Sequence, residues 1–369
     1  MVPLRWAAVV AFALSAGVAN PTPSAPRIEQ RPMLERPQAG WIVASRSARG
    51  VMVDYRNVKV GDVTFRALRL RARSTLLRWH AGSTDPTPAS LPPDAASSID
   101  WASEGRAGVV AVFNGAFKAA AGSGGAAVDG IVLSALQRNR MTIALDAAGH
   151  WAMGLWGAAN FPPRGFRPIS LRQNLGPLVW NGRVTPAARS PDWRQWGDPL
   201  HEVPTVARTA LGVNRAGDLI YVATMQPTLA GPLAQALVAL GAVTGMELDI
   251  NPYWPILGAP FAPLHRAGPM PVQLPDSMHS PTIYETGWQR DFFVALAEPS
   301  SWRCWWTSPG LRGPGLQPQP LHQAGPGCSS SARSSEPATT VGPTTSTSTT
   351  SSVATTTAAT TSVTAPASP

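Results

Sequence analysis

The sequence predicts an α+β fold across residues 41–299, and three observations carry that expectation. Short apolar runs recur there between Gly, Pro and Asn turns, the pattern of strands punctuated by tight connections. Residues 108–113, Gly-Val-Val-Ala-Val-Phe, form a continuous apolar run, which suits a strand covered on both faces. One stretch switches to helical spacing: after Gly231-Pro232, residues Leu233, Ala236, Leu237 and Leu240 share a face and Gly241 closes it.

From the amino terminus, residues 1–5 are a short positive segment and 6–18 an apolar one, with small residues at 17–19. That is the layout of a signal peptide over 1–19. The run is shorter than the ~18–20 residues a bilayer span needs, so an uncleaved anchor is the weaker reading and no transmembrane span is predicted. Residues 20–40 are a Pro-rich lead-in. Residues 54–60 and 63–70 read as a hairpin through Gly61-Asp62, and 119–127, all Ala and Gly but for Ser123, as a mobile loop. Strands follow at 141–146, 151–156 and 219–223, then the helix, then a strand over 246–250. Residues 300–328 form a Pro/Gly/Trp-rich linker. Residues 329–369 are a Ser/Thr/Ala/Pro tail too poor in large apolar side chains to bury a core, and are expected to be disordered. These features predict a secreted or cell-envelope protein.

The net charge of +9 comes almost wholly from arginine, since Lys59 and Lys118 are the only lysines. The arginines are scattered, without a basic run or interleaved aromatic platform, which argues against nucleic acid as a partner and leaves anionic envelope polymers open. Export would permit a disulfide between Cys304 and Cys328; two free thiols are the alternative. No His or Cys pair has zinc-ligand spacing. No cofactor is predicted, although a divalent cation beside a phosphate stays open.

The stretch Met246-Glu-Leu-Asp-Ile-Asn251 sets two acids in an apolar run, in a chain with only 21 acidic residues. On a regular strand Glu247, Asp249 and Asn251 would share one face, with Met246, Leu248 and Ile250 in the core. Neighbouring carboxylates push one pKa up and so divide into acid and base. A surface strand end whose acids cap turns or pair with arginines is the structural alternative. Three more polar islands adjoin apolar runs: Asn114-Gly115 with Lys118, Arg172-Gln173-Asn174, and Arg208-Thr209. No Gly-x-Ser-x-Gly elbow supports a serine hydrolase.

In order, Val112-Phe-Asn-Gly-Ala-Phe117, Gly176-Pro-Leu-Val179 with Asn181-Gly182, Arg208-Thr-Ala-Leu-Gly-Val213, and Leu240-Gly-Ala242 leading to Leu248-Asp249 resemble the phosphodiester glycosidase family. The resemblance spans about residues 105–297 and ends in Gln289-Arg-Asp-Phe-Phe293. It is closer to an exported bacterial branch with Arg-Gln-Asn-Leu and Leu-Asp-Ile-Asn stretches, here at 172–175 and 248–251. It implies a mixed fold with curved sheets and packed helices around a central cleft, and hydrolysis of a sugar-1-phosphodiester. Asp249 would be nucleophile or base and Glu247 its partner. Arg208, with Arg172 or Lys118, would hold the phosphate, assisted by Thr209. Asn114 and Asn251, together with Asn174, would contact the sugar. The chain departs from the family at Ala116, where a second Gly is usual, and at Ile250-Asn-Pro-Tyr-Trp254, where a Gly-rich run is usual. Bulk there closes the backbone approach an anion needs. A non-catalytic glycan-binding or envelope protein on the same scaffold is the alternative function.

Overall fold

The computed structural model describes residues 40–47, 50–86, 97–101, 103–259 and 272–297. The expected leader, nearly all of the lead-in, the linker with Cys304 and Cys328, and the tail lie outside the described residues. Strand β2 (Gly50–Val60) turns into β3 (Val63–Leu70) through Gly61 at φ 57°, the left-handed backbone a two-residue hairpin requires. Beyond β3 the sheet continues through β14 (Leu219–Thr228), β13 (Val206–Asn214), β15 (Ala242–Ile250), β11 (Pro177–Trp180) and β12 (Arg183–Val184), with β1 (Ile42–Ser47) at the opposite edge.

Two smaller sheets complete the framework. One has the order β7 (Ile131–Ser134), β6 (Ala126–Val128), β10 (Pro168–Gln173), β8 (Met141–Asp146), β9 (Trp151–Leu155). The other runs β17 (Val272–Gln273), β16 (Leu257–Ala259), β5 (Val109–Asn114), β18 (Phe292–Ala297), β4 (Thr75–His80). All strand pairs are antiparallel.

The three sheets share one apolar core, in which Leu68, Leu211, Tyr221 and Met246 of the large sheet meet Phe113 and Phe293 of one small sheet and Met141 and Ile143 of the other. The far face of the large sheet packs on the helix Ala230–Ala239, whose Leu233, Ala236 and Leu237 are fully buried beside Ala210 and Ile250. Gly241, at φ 91°, ends that helix as its sequence predicts.

The expectation of an α+β fold with packed helices is overturned. Among the described residues Ala230–Ala239 is the one α-helix longer than a single turn, and the remainder is antiparallel sheet. Strands cover both sides of the central core, so helices have no second layer to form. Residues 119–127 also differ from a mobile loop. They contain the 3-10 turn Ala119–Ala121 and lead into β6, where Ala126 and Ala127 are fully buried. Their small side chains serve close packing, since a Cβ on Gly125 would come within 2.5 Å of the Ala135 carbonyl oxygen.

Candidate functional site

The acidic stretch lies on β15, and a break in its pairing decides where each acid points. Glu247 pairs with Ala210 and Ile250 with Arg208, so three residues of β15 face two steps of β13, as at a β-bulge. Met246 and Leu248 consequently enter the core shared by the three sheets, while Ile250 packs on the helix side. The expected common face for Glu247, Asp249 and Asn251 is corrected by this offset. Glu247 turns to Arg208 and Asp249 to Arg290.

Glu247 is sealed. Arg208 Nη1 donates to Glu247 Oε1 at 2.6 Å, and neither side chain reaches solvent. The other donors of Arg208 go to the carbonyls of Thr228, Trp196 and Pro204. Burial raises the Glu247 carboxyl to about 7 against the opposing pull of Arg208. Arg208 thus fastens the 196–204 segment to the sheet through Nη1 and Nη2.

Asp249 sits where the sheets meet. Its amide donates to the Gly115 carbonyl at 3.0 Å and its own carbonyl accepts from the Thr209 hydroxyl at 2.6 Å. Asn114, at the end of β5, donates to Thr209 Oγ1 and accepts from the Tyr221 hydroxyl. The Asp249 carboxylate accepts from the Ile250 amide at 2.9 Å and from Arg290 Nη2 at 2.6 Å. Burial raises Asp249 to about 7; Arg290 opposes the shift, Asp291 adds to it, and the Ile250 amide and Arg172 oppose it. Glu247 and Asp249 turn to different arginines, Arg208 and Arg290, and so share no hydrogen bond with each other.

Arg172 is likewise consumed internally. Its Nε donates to Asp291 Oδ2 at 2.9 Å, and its Nη atoms reach Ser123 and the carbonyls of Phe117 and Gln173. Asp291 also accepts from Trp79 Nε1 and the Ala116 amide. A side chain at Gly115 would overlap the Asp291 carboxylate. The Asn-Gly dipeptide read as a turn is a point of close approach between β5 and the Arg290-Asp291 step before β18.

Toward the surface, Arg290 binds the Ala116 carbonyl at 3.0 Å, lies 4.7 Å from the Trp254 ring centre, and places Nε 3.8 Å from Asp85 Oδ2. Lys118 is exposed, with its ammonium 5.4 Å from the same ring. Tyr253 beside it is 43% exposed. Asp249 and Arg290 thus form a buried charged pair, with Trp254, Lys118 and Tyr253 grouped on the arginine's side.

Asn174 donates to the Glu247 carbonyl at 2.6 Å. Asn251, at φ 76°, ties the Leu200 amide and the Asp198 carbonyl. Sequence reading thus brought Asn114, Thr209, Asp249 and Arg172 into one junction and placed Lys118 on its rim. Arg208, Glu247, Asn174 and Asn251 belong to its supporting wall. It missed Asp85, and it gave Arg290 and Asp291 no role although Gln289-Arg-Asp-Phe-Phe293 had marked charges abutting an apolar strand.

An open cleft of about 510 Å³ lies against that wall, lined by residues including Ala121, Leu175, Trp193, Arg194, Asp198 and Glu202. Asp249 and Arg290 are not in its lining, so this cleft and the charged pair are adjacent features. The Lys118–Gly122 segment and Asn251 connect them. Among the described residues no group of three His, Cys, Asp or Glu is placed to hold a metal ion, and no helix is long and apolar enough to cross a membrane.

No family model matches this sequence, and no curated protein does. Among solved structures, the zebrafish N-acetylglucosamine-1-phosphodiester alpha-N-acetylglucosaminidase catalytic domain, auto-inhibited by its pro-peptide, is similar at 12% identity. That match covers 70% of this chain and 88% of the other, with a TM-score of 0.42. A hypothetical protein from Synechocystis is similar at 14% identity over 66% and 62% of the two chains, TM-score 0.42. A Burkholderia pseudomallei protein described as exported is similar at 11% identity over 69% and 76%, TM-score 0.34. At this distance none of them assigns a residue or a reaction.

Proposed function

We propose that this chain is an exported hydrolase of a glycosyl phosphodiester or a related surface-glycan linkage. The observation that carries the reading is Asp249, a buried carboxyl raised to about 7 and held by Arg290 beside a cationic, aromatic rim. Such a carboxyl is half protonated at neutrality and exchanges a proton readily with a reacting oxygen. Arg290 and Lys118 supply positive charge for phosphate oxygens, a task from which Arg172 and Arg208 are withheld by their buried internal partners. Trp254 and Tyr253 offer apolar faces for a sugar ring. Supporting this, the ordered motifs resembling phosphodiester glycosidases contribute Asn114, Thr209 and Asp249 to this same junction.

A second reading, a glycan-binding protein without turnover, is favoured by the Pro252-Tyr253-Trp254 turn, which presents side chains where backbone amides would cradle an anion. The full chain is incubated with a panel of sugar-1-phosphodiesters, and free sugar and ligand binding are both measured. Release of sugar that disappears in Asp249→Ala supports hydrolysis. Binding that survives this substitution, with no sugar released by either form, supports the second reading.

A further inference from the structure

We propose that Asp85, a residue no sequence motif singled out, is the second reacting carboxylate of this site, taking the place expected for Glu247. This rests on the hydrolytic reading above and adds the partner that the reading lacks.

Four observations support it. Asp85 is held rigidly: its amide donates to the Gln289 carbonyl at 3.1 Å, its carbonyl accepts from Gly82, and it forms a bridge with Arg290. A side chain on Gly82 would overlap the Gln289 carbonyl, so the strap carrying Asp85 lies flat on the chain just before Arg290. One carboxylate oxygen, Oδ1, accepts from the Ala119 amide at 3.2 Å, which fixes the plane of the group. The other, Oδ2, is buried without a hydrogen-bond partner among the described residues, and so is the Arg290 Nε 3.8 Å away.

Two facing buried polar atoms that leave each other unbonded are costly unless something else satisfies them. A water or a substrate oxygen bridging both from one side would do so. Glu247 cannot play this part, because its side chain is fully enclosed on the helix side of the large sheet. Asp85 and Asp249 flank a single guanidinium, which puts their nearest oxygens within about 9 Å of each other, inside the reach of paired glycosidase acids.

In the balanced step, a water oxygen bonds to the anomeric carbon as the bond from that carbon to the phosphate oxygen breaks. The bonding pair stays on the phosphate oxygen, which takes the proton of Asp249. The water's proton passes to Asp85 Oδ2. Exchange of both protons with solvent resets the pair.

The test compares the full chain with Asp85→Ala and Asp85→Asn on the phosphodiester turned over best by the unsubstituted protein, with and without azide. General-base loss predicts a fall in kcat of roughly 100-fold or more. Azide, which needs no deprotonation, restores rate to Asp85→Ala and yields the glycosyl azide. Asp85→Asn keeps an oxygen for the Ala119 amide and reports the role should the Ala variant fail to fold. Retention of kcat within about 3-fold in a folded variant, or a loss that azide leaves unchanged, overturns the assignment while the hydrolytic function stands. Absence of turnover in the unsubstituted chain removes both.

Discussion

Arg208 and Glu247 face each other at 2.6 Å with neither side chain reaching solvent, and the guanidinium gives three further hydrogen bonds to main-chain carbonyls. The contact makes them a clamp on the 196–204 segment. Replacing Glu247 with Ala removes the acceptor of Arg208 Nη1 and strands a buried guanidinium, at a cost of about 3–5 kcal/mol. Urea unfolding of Glu247→Ala is expected to show that loss. Its kcat, measured where the variant is folded, stays within a few-fold of the parent.

Stability is expected to fall as the solution is made less acidic. Glu247 and Asp249 keep their protons to about pH 7 in the folded chain but release them near pH 4 when unfolded. The folded state therefore binds more protons between those values, and the stabilisation is lost as pH rises from about 4 to 7. Each group contributes a slope of up to about 1.4 kcal/mol per pH unit. Unfolding free energies across that range should decline, and Glu247→Gln should remove one group's share of the slope.

Gly115 has no room for a methyl group, because the Asp291 carboxylate fills that space. Gly115→Ala must displace Asp291 from Arg172, Trp79 and the Ala116 amide at once. A loss of several kcal/mol is expected, as when a buried ion pair is broken. Thermal melts read it directly, and an unchanged Tm would contradict this packing.

Lys118 is exposed on the rim beside Trp254. Lys118→Ala is expected to raise KM for an anionic substrate several-fold with little change in kcat. The penalty should shrink at high salt, because an exposed charge is screened over about 10 Å at 0.1 M ionic strength. An effect confined to kcat would place Lys118 elsewhere in the reaction.

The hairpin of β2 and β3, the buried strand β5 and the helix Ala230–Ala239 were legible because each writes its period or turn into adjacent residues. The fold class was not, since one clear helical period in a chain full of short strands was extended into packed helices that the residues never spelled out. Several strands escaped notice because β6, β12, β16 and β17 have only two or three residues each, too few to display alternation. The convergence of Asn114, Arg172 and Asp249 was readable from polar residues at strand ends. Their partners were not: Arg290 lies 41 positions from Asp249, and Asp291 119 positions from Arg172. Nothing local records such pairings.

The offset in β15 acts as a parity switch. Upstream of it odd-numbered positions point toward the helix; past it the assignment inverts, and Ile250 takes the helix side. The surplus residue lets Leu248 and Asp249 both leave the helix side while Glu247 and Ile250, opposite Ala210 and Arg208, keep to it. A strand one residue shorter here would still seat the isoleucine among its leucine neighbours, but its opposite face would hold either the leucine or the aspartate and not both.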